Sequence, residues 1–268
     1  MARTSVYFTS DAHLGSGYHA EPLAVERRLV RWLEYIRPTA RAIYFLGDIF
    51  DYWFEYRNVA PRGYVRFLGK VAELSDEGVE IHFFAGNHDI WFADYLSTEL
   101  GAIIHHQSAC VTLDGKVFRL AHGDEEYRHV SWGNNFLYRL FRNKIARWLF
   151  AGIHPRWTVG FAMAWSLHSR KQGLKKKVLG EIPHAYHNEY FEVEQEHLVV
   201  ATKQYLELYP EVDYYLYGHR HLMLDLSLRG GKRMMILGDW LQYNSYAVWD
   251  GAYLSLEQFE LDHDCEST

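Results

Sequence analysis

The sequence has 268 residues and is 49% hydrophobic, enough to bury the core of one large α/β domain. Its 28 basic and 34 acidic residues give a net charge of −6, which argues against a general nucleic-acid-binding protein. Cys110 and Cys265 are too few for a disulfide framework or a cysteine-rich zinc site. No apolar leader follows Met1, and no apolar run reaches about 18 residues. We therefore expect a cytoplasmic chain without a membrane-spanning helix.

The first part of the chain alternates between strand and helix patterns, which indicates a sheet with parallel pairs and helices on its faces. The predicted elements are a strand at 4–9, a helix at 22–36, a strand at 42–46, a helix at about 64–74 and a strand at 79–83. Pro22 suits the first turn of its helix.

The second part is richer in strands but contains a long helical region. The predicted elements are a strand and hairpin within 102–121, helices up to about 210, strands at 212–217, 222–228 and 234–237, and a hairpin through Asp250-Gly251. We find no Pro-, Ser- or Gln-rich linker and no internal repeat. We therefore predict one domain over residues 1–268, with a helical insertion at about 130–185.

Polar clusters follow five of the predicted strands, and their residue types are those of metal ligands. The clusters are Asp11/His13, Asp48/Asp51, Asn87/His88, His122 and His219/His221. In an open α/β sheet the carboxyl ends of the strands share one edge, so the five clusters should converge. Carboxylates and imidazoles together suit Mn²⁺, Fe or Zn²⁺.

Spacing within the clusters supports a metal site. In Asp11-x-His13 and His219-x-His221, alternate residues of an extended segment point the same way, so both side chains can face one ion. Asp48 can bridge two ions, and such a pair would activate a water and offset charge on phosphoryl oxygens. Each cluster alone is more often a solvated turn. Five in order, each behind a strand, predict a metal centre.

These motifs resemble the complete signature of the calcineurin-like metallophosphoesterases, over residues 6 to about 250. They are Asp11-Ala12-His13, Gly47-Asp48-x-x-Asp51, Gly86-Asn87-His88-Asp89, His122-Gly123 and Gly218-His219-x-His221. The resemblance implies an α/β (α+β) fold, a β-sandwich flanked by helices, with two divalent metal ions. The first ion would be held by Asp11, His13, Asp48 and His221. The second would be held by Asp48, Asn87, His122 and His219. His88 would then act as a donor at the leaving group or phosphoryl group, oriented by Asp89.

Within that superfamily the chain is similar to the UDP-2,3-diacylglucosamine hydrolases of lipid A synthesis. The motifs that carry the similarity are Ser10 to Gly15, Phe50-Asp51-Tyr52-Trp53, Leu237-Gly238-Asp239-Trp240 and Ser245-Tyr246. The resemblance implies cleavage of the pyrophosphate of a lipid-linked UDP sugar to UMP and the sugar 1-phosphate, usually with Mn²⁺. The chain departs from the best-known members at His88, where they have Arg, and at Glu125-Glu126. Another phosphoesterase activity, on a nucleotide or phosphodiester, is the alternative.

The predicted insertion contains a basic amphipathic helix and a second apolar run. The apolar face of the helix consists of Leu137, Leu140, Phe141, Ile145, Trp148 and Leu149. Either these faces pack on the core, or they form a cap that holds acyl chains and rests on an anionic membrane surface. The second interpretation predicts a peripheral protein on the cytoplasmic face of the inner membrane. By resemblance, the candidate substrate contacts are Asp124, His168, Ser169, Arg170 and Lys171. The oligomeric state is left open by the sequence.

Overall fold

Two β-sheets pack face to face in a computed structural model that describes residues 3–17, 21–56, 59–129, 143–154, 157, 160 and 193–260. The first sheet contains β1 (Ser5–Thr9), β2 (Ala40–Phe45), β3 (Glu80–Phe84), β4 (Ile103–His105), β10 (Ser245–Trp249) and β11 (Leu254–Gln258). The second contains β5 (Ala109–Leu113), β6 (Lys116–Ala121), β7 (Tyr214–Tyr217), β8 (Met223–Ser227) and β9 (Arg233–Leu237). Their strand orders are β11-β10-β1-β2-β3-β4 and β5-β6-β7-β9-β8.

Helices cover the outer faces of the sandwich. They are α1 (Pro22–Ile36), α2 (Val65–Asp76), α3 (Tyr95–Leu100), α4 (Lys144–Ala151) and α5 (His197–Leu208), with short 3-10 turns at Asp124–His129, Val193–Gln195 and Arg229–Gly231. The prediction of a helix at 22–36 is confirmed at both ends. Its stripe of Val25, Leu29, Leu33 and Ile36 is buried against the first sheet, as the 3.6-residue period predicts.

The core lies in three layers, one between the sheets and one beneath the helices on each side. Between the sheets, Phe8 and Tyr44 of the first sheet pack near Phe118 of the second, with stacked ring pairs 5.3 to 5.8 Å apart. Beneath α1 and α2 lies a cluster that includes Trp32 and Phe67. Apolar burial of this extent is the dominant favourable term in folding, and it holds both sheets rigidly around the strand ends.

Parallel pairing brings the polar clusters to one edge. In the first sheet β1, β2 and β3 run parallel, and in the second β6, β7 and β9 do. All five predicted clusters follow the carboxyl ends of observed strands: β1, β2, β3, β6 and β7. The expectation that each cluster stands behind a strand is confirmed.

The described part of the predicted insertion is mainly α4. The rest of 130–185, including His168, Ser169, Arg170 and Lys171, lies outside the described residues. Phe150 attaches α4 to the sandwich, because its ring lies 5.0 Å from both Phe54 and Trp91. Trp148 and Leu149 of the predicted apolar face are 74% and 60% exposed instead of packed on the core. Among the described helices, none is long and apolar enough to span a membrane.

Candidate metal centre

The loops that carry the predicted ligands adopt a strained backbone. Asp11, His13, Asp48, His219 and His221 have φ values of 54°, 42°, 53°, 69° and 47°. They are five of the eight non-glycine residues with positive φ in the described part of the chain. A non-glycine residue in this region costs on the order of 1 kcal/mol or more and persists only where its surroundings impose it. The strain is therefore concentrated at one place, the edge where the clusters meet.

Two glycines let these loops pack closely against the ligands. A Cβ on Gly86 would lie 2.5 Å from the backbone nitrogen of Asp48 and closer still to its carboxylate. A Cβ on Gly218 would lie 2.5 Å from Oδ2 of Asp11. Such contacts are far below van der Waals distance, so any side chain at either position would displace a carboxylate.

The first ligand group is Asp11, His13 and His221, whose ligand atoms lie within 4.8 Å of one another. The Nε2 atoms of the two imidazoles are 3.3 Å apart, and Oδ1 of Asp11 lies 3.8 and 3.6 Å from them. On their far sides, Nδ1 of His13 is 3.4 Å from Asp51 and Nδ1 of His221 is 3.0 Å from Asp239. Protons on both Nδ1 atoms would leave two Nε2 lone pairs facing each other.

The second group is Asp48, His122 and His219, again within 4.8 Å. Nδ1–H of His122 donates to the carbonyl of Leu46 at 2.8 Å, so its Nε2 lone pair faces the centre. That Nε2 is 3.2 Å from Oδ1 of Asn87 and 3.4 Å from Oδ2 of Asp48. When His122 is neutral, three acceptor atoms therefore face one another, and either a proton on Nε2 or a cation must lie between them.

The electrostatics show the same shortage of positive charge. Burial would raise the pKa of Asp11, but the charge of His221 and the neighbouring His13 imidazole lower it to about 2. Burial would lower the pKa of His122, but the charge of Asp48 raises it well above the usual value. For His219, burial and the neighbouring His122 lower the pKa to about 4. The carboxylates thus hold positive charge at this edge.

A divalent cation fits each group better than a proton does. Oδ1 of Asp11 is buried and has no hydrogen-bond partner in the described structure, as expected of an atom reserved for an ion. The donor set of carboxylate, amide and imidazole suits Mn²⁺, Fe or Zn²⁺. Of the predicted ligands, Asp11, His13 and His221 lie together, and Asn87 joins Asp48, His122 and His219. Asp48 links the two sets, since its Oδ2 is also 3.7 Å from Nε2 of His13.

The family model of the calcineurin-like phosphoesterases matches residues 4–223. The chain belongs to this family. The phosphoesterase is 64% identical, over 96% of its length and 98% of the relative's, to a Porphyromonas gingivalis protein named UDP-2,3-diacylglucosamine hydrolase. A protein of the same name from Aeromonas hydrophila is 26% identical over 96% of this chain and 99% of its own.

Solved structures resemble the phosphoesterase more distantly. YfcE, a phosphoesterase from E. coli, aligns with 95% of this chain and 92% of its own at 16% identity and a TM-score of 0.42. The predicted fold class, a two-sheet α/β architecture of calcineurin-like type, is confirmed. The predicted family is confirmed as well.

His88 of the phosphoesterase stands beside the first ligand group. Its Nδ1 lies 3.0 Å from the backbone carbonyl of Asp51 and 3.6 Å from the Asp51 carboxylate. Its ring meets that of His13 edge-on, with centroids 4.8 Å apart. His13, Asp51 and His88 form a third close group of candidate ligands. Asp51 thus contacts both a predicted metal ligand and the predicted donor.

Asp89 braces the loops that carry the ligands. Its two buried oxygens accept four backbone N–H bonds of 2.8 to 3.2 Å, from Gly86, Asp48, Ile49 and Phe50. Burial and the nearby charge of Asp48 raise the pKa of Asp89 to about 7. Its predicted role of orienting His88 stays a prediction, since these bonds all go to the backbone.

The residues after His122 separate into two environments. Asp124 begins a 3-10 turn two residues after His122, and its charge adds to that of Asp48 in raising the pKa of His122. Glu126 points into the second sheet, where it pairs with Arg119 at 3.3 Å and with the hydroxyl of Tyr205. The departure from the family pattern at Glu126 therefore has a packing role.

Two supporting contacts were not predicted. Asp239 accepts a hydrogen bond from His221, and buried Glu196 binds the guanidinium of Arg220 through two bonds of 2.7 and 2.8 Å. Arg220 lies between the predicted ligands His219 and His221, so Glu196 anchors their loop to the start of α5. The sequence did contain a signal for Asp239, because Gly238-Asp239 follows a strand just as Gly47-Asp48 does.

Proposed function

We propose that this protein hydrolyses the pyrophosphate bond of UDP-2,3-diacylglucosamine and releases UMP and 2,3-diacylglucosamine 1-phosphate, a step of lipid A synthesis. The observation that carries the proposal is the 64% identity, along nearly the whole chain, to the Porphyromonas gingivalis protein of that name. The ligand groups at the strand edge support it, because two-metal sites suit in-line displacement at phosphorus.

Two divalent ions, which we propose to be Mn²⁺, are the cofactors of this reaction. The first would be held by Asp11, His13, Asp48 and His221. The second would be held by Asp48, Asn87, His122 and His219. When bound, the ions supply activation of water as nucleophile and charge compensation for the phosphoryl oxygens.

The chain's own contribution lies in orientation and proton placement. Asp51 holds the His88 ring at Nδ1 through its carbonyl, at 3.0 Å. Since Nδ1–H is donated to this carbonyl, Nε2 carries a proton only in the imidazolium form. We assign the Nε2–H of the His88 imidazolium as the donor to the phosphoryl oxygens or the leaving group, where a positioned donor stabilises developing charge. Buried Asp89 fixes the loops behind Asp48 and Asn87, so that the ligands need little reorganisation.

The exposed apolar residues of α4 and the segment after it support a lipid substrate. Trp148, Leu149, Ile153 and Trp157 are 74%, 60%, 47% and 72% exposed. Aromatic and aliphatic surface of this kind fits acyl chains or a membrane interface. We propose that the insertion is a cap holding the acyl chains on the cytoplasmic face of the inner membrane. We propose Asp124 and His168, Ser169, Arg170 and Lys171 as contacts to the polar part of the substrate.

The decisive experiment is hydrolysis of UDP-2,3-diacylglucosamine by the Mn²⁺-loaded protein, with UMP release as the readout. Asn87→Ala is the matched variant, since Asn87 meets the centre only through its amide oxygen. We expect UMP release by the wild type and its near-complete loss in a folded Asn87→Ala variant. If only a simple aryl phosphodiester is cleaved, the lipid substrate is wrong and the alternative phosphoesterase activity stands.

A second variant separates the cap from the chemistry. Phe150→Ala removes the ring that joins α4 to Phe54 and Trp91, two contacts worth about 0.5–1.5 kcal/mol each. We expect KM for the lipid substrate to rise about tenfold, which corresponds to about 1.4 kcal/mol. Hydrolysis of the aryl phosphodiester should be unchanged. Tyr35→Ala, an exposed aromatic on α1, is the control and should alter neither reaction. An equal loss on both substrates would contradict a substrate role for the cap.

A further inference from the structure

Asp239 lies directly behind the metal centre, at the carboxyl end of β9. Strands β7 and β9 pair in parallel, which brings the loop after β7 with His221 alongside the loop after β9. Asp239 is buried, only 2% exposed, and its Oδ2 lies 3.0 Å from Nδ1 of His221. A buried carboxylate needs partners of this kind, because an unpaired one would be strongly destabilising.

The other oxygen of Asp239 fixes the side chain in place. Oδ1 accepts the backbone N–H groups of Leu241, Gln242 and Tyr243 at 3.2, 2.8 and 3.1 Å. The next residue, Trp240, donates its backbone N–H to the carbonyl of Asp11 at 3.2 Å. With Oδ1 committed to the turn, Oδ2 has one orientation, toward His221.

We infer that Asp239 is a positioning residue of the metal centre, which accepts the Nδ1 proton of His221 and so directs the Nε2 lone pair toward Asp11 and His13. A neutral imidazole carries one proton, and the bond made by one nitrogen decides whether the other can bind a cation. A carboxylate in that place also makes the imidazole a stronger ligand. The inference rests on the proposed metal centre but adds a residue that is not itself a ligand.

The test is the isosteric variant Asp239→Asn. Its amide oxygen keeps the three bonds to the turn, whereas its N–H₂ group opposes the Nδ1–H of His221. The imidazole must then turn away or move its proton to Nε2, and either change removes a lone pair from the centre. We expect Mn²⁺ affinity, measured by titration calorimetry, to fall by about 10- to 100-fold. The thermal unfolding midpoint of the metal-free protein should stay close to that of the wild type.

Asp250→Asn is the matched control, since Asp250 also accepts two backbone N–H bonds, of 2.8 and 2.7 Å, in an exposed turn. It lies at the other end of β10 and contacts no ligand. We expect its Mn²⁺ affinity to equal that of the wild type. If the wild type itself binds no Mn²⁺, the proposed centre is wrong. If the wild type binds and Asp239→Asn binds equally well, only the role of Asp239 is wrong.

A double-mutant cycle with His221→Gln distinguishes orientation from general support of the loop. If Asp239 acts through His221, the double variant should bind Mn²⁺ as weakly as His221→Gln alone. Losses that add would overturn the inference. Should Asp239→Asn fail to fold, ¹⁵N NMR of the metal-free wild type at pH 9 decides, with His221→Gln used to assign the signal. The Nδ1–H tautomer at His221 supports the inference, and the Nε2–H tautomer overturns it.

Discussion

Ring nitrogens lie within 3.3 Å of each other in the histidine pairs His13–His221 and His82–His105, and only the first pair belongs to the predicted metal ligands. At the strand edge, Nε2 of His13 and Nε2 of His221 are 3.3 Å apart. Between β3 and β4, Nδ1 of His82 and Nε2 of His105 are 3.0 Å apart. The two contacts are nearly equal in length, so imidazole proximity alone does not make a site.

The surroundings of the two pairs differ. His82 and His105 lie against the rings of Tyr44 and Phe84, at 4.0 and 4.3 Å, and Glu80 is the carboxylate that His82 contacts. The described residues hold three close groups of candidate ligands, and this pair is in none of them.

The first pair is placed among carboxylates on both sides. Asp51 and Asp239 lie behind the imidazoles, and Asp11 lies in front. The carboxylates behind face the Nδ1 atoms and the one in front faces the Nε2 atoms, an arrangement that suits a cation bound between the Nε2 lone pairs and Asp11. The carboxylates, more than the imidazoles, therefore distinguish the candidate metal centre from the second pair.

Removing the carboxylate in front should have the largest effect. Asp11→Asn keeps an acceptor for the backbone N–H of His219, now 2.8 Å from Oδ2, but places an amide against the two imidazoles. We expect loss of metal binding and a fall in kcat/KM of roughly 10³-fold, or about 4 kcal/mol, measured with an aryl phosphodiester. Glu80→Gln, beside the second pair, is the control and should leave both unchanged. Wild-type metal affinity in Asp11→Asn would refute the comparison.

Displacing the Asp48 carboxylate, instead of removing a carboxylate, also tests whether carboxylate position determines metal binding. Gly86→Ala would push a methyl group into the backbone nitrogen and carboxylate of Asp48. We expect about 1–3 kcal/mol of destabilisation in urea unfolding, with weakened metal binding, because the backbone must shift. Gly69→Ala is the matched control, since a Cβ there meets nothing within 4 Å and lies in α2. It should stabilise the protein by up to about 1 kcal/mol. Equal behaviour of the two variants would contradict the packing argument.

The third prediction concerns Asp89, whose buried carboxylate accepts backbone N–H bonds from the loops behind the centre. Asp89→Asn supplies one acceptor oxygen where four backbone N–H groups now converge on two. Two donors would then face an amide N–H₂, and a buried unsatisfied donor costs about 1–3 kcal/mol. We expect the metal-free protein to lose about 2 kcal/mol of unfolding free energy in urea. An unchanged unfolding midpoint would show that these bonds do not hold the loops.

Local signals in the sequence were enough to predict the strand-end ligands. Asp48 and Asn87 each follow a strand and a glycine, and the rule for parallel sheets brings such positions together. Contacts that depend on register between distant strands could not be predicted in this way. Asp239 meets His221 only because β9 lies beside β7. His105 meets His82 only because β4 pairs with β3, with Phe84 opposite His105.

The insertion shows a second limit. An amphipathic pattern predicts which side of a helix is apolar, but it does not predict which apolar residue packs against the rest of the protein. Trp148 belongs to the predicted stripe and is exposed, whereas Phe150 packs against Phe54 and Trp91. Periodicity predicted that α4 exists, but the choice of anchor depends on aromatic residues far away in sequence.

The smallest of these effects should come from the second histidine pair, which should make the unfolding free energy depend on pH. Burial, with the neighbouring His82, lowers the pKa of His105 to about 4, compared with about 6.5 in an unfolded chain. Between these values the unfolded state binds a proton that the folded state does not, so stability falls as pH drops from about 6.5 to about 4. His105→Phe should remove this loss, worth about 1 kcal/mol after allowance for partial exposure.

The measurement is urea unfolding of metal-free protein at several pH values. Subtracting the profile of His105→Phe from that of the wild type isolates His105, because the acidic residues of the centre titrate in both. His197→Phe, at the exposed first position of α5, is the control and should retain the wild-type dependence of unfolding free energy on pH. If the difference in unfolding free energy between the wild type and His105→Phe does not change from pH 7 to 4, burial does not keep this pair neutral. The expected result would show that aromatic surroundings keep His82 and His105 neutral, whereas the carboxylates around His13 and His221 favour a cation.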